Sequence, residues 1–211
     1  YKKLKKILKA DEINDEGAWQ TSLSIEQILA ILSKFKNVRI GIDVASSSFY
    51  ENYYSRYIYK NKTLSKSEQI NYINSLIKKY NIFYIEDPLQ EEDFKGFSKI
   101  IKSPSHLVVG DDLTATQISR LKKAFSLHAI NAMIIKPNQN GSLIELQEIF
   151  KICKQHNIKT ILSHRSGETL DSALADYAVA FQADFIKTGI ATPYRTAKLK
   201  RLIEIEKMLS A

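Results

Sequence analysis

A chain of 211 residues, 44% hydrophobic and 26% charged, is long enough to bury one sizeable core and is read as a single domain over residues 1–211. No apolar run approaches the roughly 18 residues of a membrane span, and the lone Cys153 excludes an internal disulfide and fits a reducing, cytoplasmic setting. The net charge of +8 invites a nucleic-acid partner, but lysines are spread over nearly every amphipathic segment (Lys78-Lys79, Lys122-Lys123, Lys198-Lys200-Arg201) without one basic arm, so they read as solvated helix faces and nucleic acid is disfavoured.

The basic opening Tyr1-Lys2-Lys3-Leu4-Lys5-Lys6 precedes no continuous apolar stretch and is not a secretory signal. Without an initiating Met, the chain reads as trimmed, processed or cut from something longer. Short apolar runs then alternate with stretches of helical period. The expected strands are Val38–Val44, Ile82–Ile85, Leu107–Val109, Ala132–Ile135, Lys159–Leu162 and Phe185–Ile186. They lack clean alternation, as parallel strands covered on both faces do. The expected helices are Ile25–Phe35, Glu68–Tyr80, Glu92–Ile101, Ala115–Phe125, Leu143–His156, Thr169–Phe181 and Thr196–Leu209. Ser24 with Gln27, Ser65 with Glu68 and Ser142 with Glu145 have capping-box spacing. Residues 46–64, with five tyrosines, interrupt the rhythm and read as a loop or hairpin. The alternation points to an α/β protein with a parallel sheet, open or closed.

The charges fall in phase with this rhythm. Asp43, Glu86, Asp111, Lys136, His164 and Lys187 each close or follow one strand, so six strands deliver a reactive side chain to the same end of the sheet. In a closed barrel those ends converge on one mouth. Asp43, Glu86 and Asp111 are hard oxygen ligands suited to Mg2+, and a lysine beside such an ion is a candidate base. Ser163-His164-Arg165-Ser166-Gly167-Glu168-Thr169 joins a strand to a helix start, where Arg165, Ser166 and backbone N–H groups suit a phosphate.

Taken together, Ile40 to Ala45, Tyr84 to Pro88, Val109 to Thr114, Ile135 to Gln139, Ser163 to Thr169 and Ile186 to Gly189 resemble motifs of the enolase family, in family order, with Asn14-Asp15-Glu16-Gly17 similar to its upstream acidic loop. The resemblance implies a TIM barrel of the enolase superfamily that lacks the family's N-terminal lid domain and first barrel strand. It also implies a Mg2+-dependent lyase that reversibly dehydrates 2-phosphoglycerate to phosphoenolpyruvate. Asp43, Glu86 and Asp111 then hold the metal, Glu86 and Asp111 also facing substrate, and Lys136 is the base at C2. Lys187 binds the carboxylate and steadies the enolate, and Glu16 protonates the leaving hydroxyl. Arg165 and Ser166 hold the phosphate, with His164 near the leaving group. The missing part implies completion by a second copy or by a complementing N-terminal chain. The alternative is a truncated, non-catalytic module kept as a binding surface, or one half of a split enzyme. A Lys-x-Lys pair on the second strand, typical of muconate-lactonising relatives, is replaced here by Asn14-Asp15-Glu16.

Overall fold

The computed structural model describes residues 1–10 and 12–210. Helices α1 (Lys2–Leu8) and α2 (Ile25–Leu32) come first, then strand β1 (Gly41–Asp43) and a 3-10 turn at Ser46–Phe49. Strands β2 (Tyr50–Glu51), β3 (Arg56–Tyr59) and β4 (Lys62–Ser65) follow, leading into α3 (Lys66–Tyr80). Next are β5 (Tyr84–Glu86), α4 (Phe94–Phe97), β6 (Leu107–Gly110), α5 (Ile118–Ser126) and β7 (Ala132–Ile135). The chain ends with α6 (Pro137–Asn140), α7 (Leu143–Gln155), β8 (Lys159–Ser163), α8 (Ala173–Ala180), β9 (Phe185–Lys187) and α9 (Pro193–Leu209). Two units are distinguished, Leu29–Thr160 and Tyr1–Ile28 with Ile161–Ala211.

In the unit Leu29–Thr160, β1, β5, β6 and β7 pair in parallel, with Asp43 opposite Glu86, Glu86 opposite Val109, and Val109 opposite Ala132. Every residue of β6 and β7 is buried. That accounts for their unbroken apolar sequence, since both faces of each strand meet other side chains. Ile73 and Ile77 of α3, Leu121 of α5 and Leu146 and Ile149 of α7 are buried in the same unit, each worth roughly 1.5–3 kcal/mol of transfer free energy.

The tyrosine-rich excursion is an antiparallel sheet in the order β2-β3-β4. Tyr57 is its buried anchor, packed against Tyr50 with ring centroids 4.8 Å apart, and its hydroxyl accepts the Gln90 N–H at 3.1 Å. The last residue of β4, Ser65, also caps α3 in the expected capping box with Glu68. Ser24 and Gln27 make the reciprocal pair at α2. Ser142 accepts the Glu145 N–H at α7, while the Glu145 carboxylate turns to Asn140 instead.

In the other unit, β8 and β9 are parallel, with Ser163 opposite Lys187. Helices α8 and α9 are joined by a forked pair from Arg201 to Asp176, 2.7 Å at its shortest. Near the start of the chain, Ile13 and Trp19 bridge across a tight turn, and Tyr1 stacks on Trp19 at 4.8 Å.

Several elements differ from expectation. β1 is shorter than Val38–Val44, and Val38 is 63% exposed. The expected helix Glu92–Ile101 contracts to α4, where Asp93 caps Gly96, and a Cβ on Gly96 would lie 2.2 Å from the Asp93 carboxylate. Helix α8 begins at Ala173 rather than Thr169, and α9 begins earlier, with Pro193 in its first turn where proline's missing N–H costs nothing. Helices α1 and α6 were not expected.

Candidate functional site

The parallel register of β1, β5 and β6 places Asp43, Glu86 and Asp111 at the carboxyl ends of three successive strands. Asp43 is exposed, whereas Glu86 and Asp111 are buried. The Tyr84 hydroxyl donates to Glu86 Oε2. Burial, reinforced by the Glu86 carboxylate, pushes the Tyr84 phenol well above its ordinary range. Tyr84 therefore stays a neutral donor that orients the carboxylate.

After β7, Lys136 Nζ reaches Asp111 Oδ2 at 2.5 Å, both side chains being largely buried. The Lys136 backbone is fixed by its N–H to Thr116 Oγ1 at 3.0 Å, and the Thr116 hydroxyl donates to Gln139 Oε1 at 2.7 Å. Asp111 Oδ1, by contrast, is buried without a hydrogen-bond partner. A buried carboxylate oxygen left unsatisfied is costly, and a hard divalent cation is a natural complement to it. Asp111 Oδ1 therefore suits such an ion, whereas Asp43 and Glu86 are not gathered with it into one compact ligand group among the described residues.

The tightest acidic group among the described residues is Asp87, Asp111 and Asp112, with ligand oxygens within 4.8 Å of one another. Asp87 differs in kind from the other two. Its Oδ1 accepts the Asp111 N–H at 3.1 Å and its Oδ2 the Asp112 N–H at 2.7 Å. Burial pushes the Asp87 carboxyl well up, and the Asp112 N–H opposes that shift. With both oxygens committed to backbone donors, Asp87 clamps the loop after β6 and is a poor metal ligand. Burial, and then the neighbouring Asp111, also push Asp112 up.

The unit containing β8 and β9 gathers a second set of groups. Glu16, His164, Lys187 and Arg195 line a cleft of about 280 Å³. Glu16 is exposed on the turn after Ile13, whose shape is set by Asn14 Oδ1 accepting the N–H of Glu16 at 3.1 Å and of Ala18 at 2.8 Å. Lys187 ends β9, and its carbonyl accepts the His164 N–H at 3.2 Å. His164 is buried, whereas Arg165 and Ser166 beyond it are exposed.

Sequence reading missed three features. Tyr84 and the clamp role of Asp87 lie inside the motif around Glu86, and the alternation of a strand gives no hint of either. The third is a correction: Lys198, expected on a solvated face, is 1% exposed, as is Arg195 on the same helix. Arg195 Nη1 lies 2.6 Å from His164 Nδ1 and 2.7 Å from Nε2. No signal in the sequence separates these two cations from the many exposed ones.

The model of the family described as "Enolase, C-terminal TIM barrel domain" matches residues 1–211. The enolase of Archaeoglobus fulgidus is 42% identical over 99% of this chain and 55% of its own length. Those of Methanocorpusculum labreanum and Picrophilus torridus are 39% and 41% identical, over 98% and 93% of this chain and 56% and 52% of their own lengths. The chain thus spans about half the length of the curated relatives it matches.

Proposed function

The chain belongs to the enolase family, matching its C-terminal TIM barrel domain, and from that premise we propose that it supplies the base, the metal ligands and the phosphate loop for reversible dehydration of 2-phosphoglycerate to phosphoenolpyruvate. Lys136 Nζ takes the proton from C2. Glu16 gives a proton to the C3 hydroxyl, which leaves as water while the C2 electron pair closes the double bond. Lys187 binds the substrate carboxylate and steadies the dianion, and Arg165 and Ser166 hold the phosphate with His164 near the leaving group. Asp43, Glu86 and Asp111 would hold Mg2+, which when bound supplies positive charge to the carboxylate as the carbon acid ionises. In this reading the chain acts in the cytoplasm, together with a second copy or with a complementing N-terminal chain.

The observation that carries this reading is the pairing of Lys136 with Asp111 beside an orphaned carboxylate oxygen. A lysine beside a carboxylate oxygen that a hard cation would complement suits proton abstraction next to a carboxylate, since the cation would take over Asp111 and free the amine to act as a base. The test is phosphoenolpyruvate formation from 2-phosphoglycerate with Mg2+, using the chain alone and with an upstream enolase segment, with Lys136→Ala as control. Turnover that survives Lys136→Ala, or its absence from both assemblies, sinks the proposal.

A further inference from the structure

Helix α9 buries two cations where a surface helix needs none. Arg195 and Lys198 are three residues apart and so share a face, and both rank among the largest fully buried side chains of the protein. Each reaches the segment Ser163–Thr169, at opposite ends. Arg195 Nη1 contacts the His164 ring at 2.6 Å. Nη1 is nearly equidistant from the two ring nitrogens, 2.6 Å from Nδ1 and 2.7 Å from Nε2, so the guanidinium packs against the ring and holds it in place without selecting one lone pair. Lys198 Nζ donates to the Thr169 carbonyl at 2.6 Å and to the Tyr194 carbonyl at 2.9 Å, and lies 3.4 Å from Glu168 Oε1. Two of its hydrogens thus go to backbone carbonyls, and the Glu168 carboxylate balances its charge as an ion pair. Glu168 Oε1 in turn accepts the Thr169 N–H at 3.0 Å, and the Glu168 N–H reaches the Ser166 carbonyl at 3.0 Å. Between the two anchored ends, Arg165, Ser166 and Gly167 are exposed.

We propose that Arg195 and Lys198 are positioning residues: α9 holds both ends of this loop so that Arg165 and Ser166 are presented to a phosphate in one arrangement. The proposal rests on the reading of that loop as the phosphate site. A separate feature supports the Arg195 anchor. A Cβ on Gly189 would lie 2.6 Å from Arg195 Cδ, so the glycine leaves the passage through which the arginine stem runs. The Thr188 hydroxyl also donates to the Arg195 carbonyl at 3.2 Å.

Arg165 makes the loop its own reporter, because trypsin cuts after it. Cleavage of a native protein follows the population of its locally open form. In the full chain, inorganic phosphate should slow the cut after Arg165. Lys198→Met should speed that cut by roughly tenfold without ligand and raise the phosphate concentration for half-protection by about as much. The cut after Lys9, the exposed residue that ends α1 in the same unit, should be unchanged, and Lys198→Arg should restore most of the protection. A merely structural lysine would speed both cuts together. Folded Lys198→Met that matches the unsubstituted chain at Arg165 overturns the proposal. If Lys198→Met does not fold, Gly189→Ala, which displaces the Arg195 stem, decides: faster cutting at Arg165 alone supports the proposal, and unchanged cutting overturns it. Failure of phosphate to protect the unsubstituted chain removes the phosphate reading itself. The anchoring by α9 is then judged on unliganded cleavage alone.

Discussion

Lys136 Nζ stands 2.5 Å from Asp111 Oδ2, linking the residues that follow two neighbouring parallel strands, β6 and β7, through one buried ion pair. Removing the amine has two separable consequences. Loss of a positioned base lowers turnover by roughly 10²–10⁴-fold, so Lys136→Ala is expected to fall that far in kcat. It also leaves Asp111 buried without its cation, which costs roughly 3–5 kcal/mol in such pairs. Steady-state kinetics and urea denaturation check the two effects. A variant that loses stability but keeps its kcat would reassign Lys136 to a structural role.

Added Mg2+ should raise the thermal midpoint of the chain, because an ion that binds only the folded form stabilises it by an amount that grows with the logarithm of its excess over Kd, about 2.7 kcal/mol at a hundredfold excess. Glu86→Gln keeps the side-chain size and an acceptor for Tyr84 but removes one charge from the donor set. The Mg2+-induced shift is expected to shrink or vanish in that variant, and chelation should abolish it in the unsubstituted chain. An equal shift in both proteins places the ion elsewhere.

The parallel strands were the most legible part of the fold. Ala132–Ile135 is apolar at every position because both faces of β7 are covered, and the bounds of the strand are those of the apolar run. Val38 looks equally strand-like but lies outside β1 and is 63% exposed, since apolar character does not by itself create a pairing partner. Capping boxes were legible because they are local: Ser65 and Glu68 need only three residues of helix to meet. The positions of Asp43, Glu86, Asp111 and Lys136 at strand ends followed from the same rhythm. Asp87 and Lys198 were not legible, because what distinguishes them is a long-range partner. Asp87 is defined by two backbone N–H groups on the loop after β6, and Lys198 by a loop that precedes α8. An isolated helix lysine carries no mark of burial.

Gly17 follows Glu16 with φ +76, and a Cβ there would lie 2.7 Å from the Ala191 Cβ. Gly17→Ala meets both the left-handed backbone penalty, roughly 1–2 kcal/mol, and that contact. The turn is expected to shift, moving Glu16 with it. Stability should fall by about that amount, and turnover in the competent assembly by more than the stability loss explains at saturating upstream segment. Unchanged kinetics in a folded Gly17→Ala variant would argue that Glu16 has no part in the proton transfer.

Lys102 offers a test by pH. Its ammonium donates to the Phe97 and Ile100 carbonyls at 2.8 and 2.9 Å, yet burial pulls its pKa down from 10.5 to about 8. The folded chain therefore gives up this proton more readily than the unfolded one, and between about pH 8 and 10.5 the unfolded state binds more protons. Stability from this group consequently rises with pH across that window, is complete above the unfolded value, and is lost as pH falls through about 8. Lys102→Met should remove that rise, so the difference in unfolding free energy between the variant and the unsubstituted chain should change with pH in the window and be flat below it. Denaturant melts at several pH values measure this. A difference that stays constant throughout would mean that Lys102 titrates alike in both states, with its two carbonyl contacts offsetting its burial.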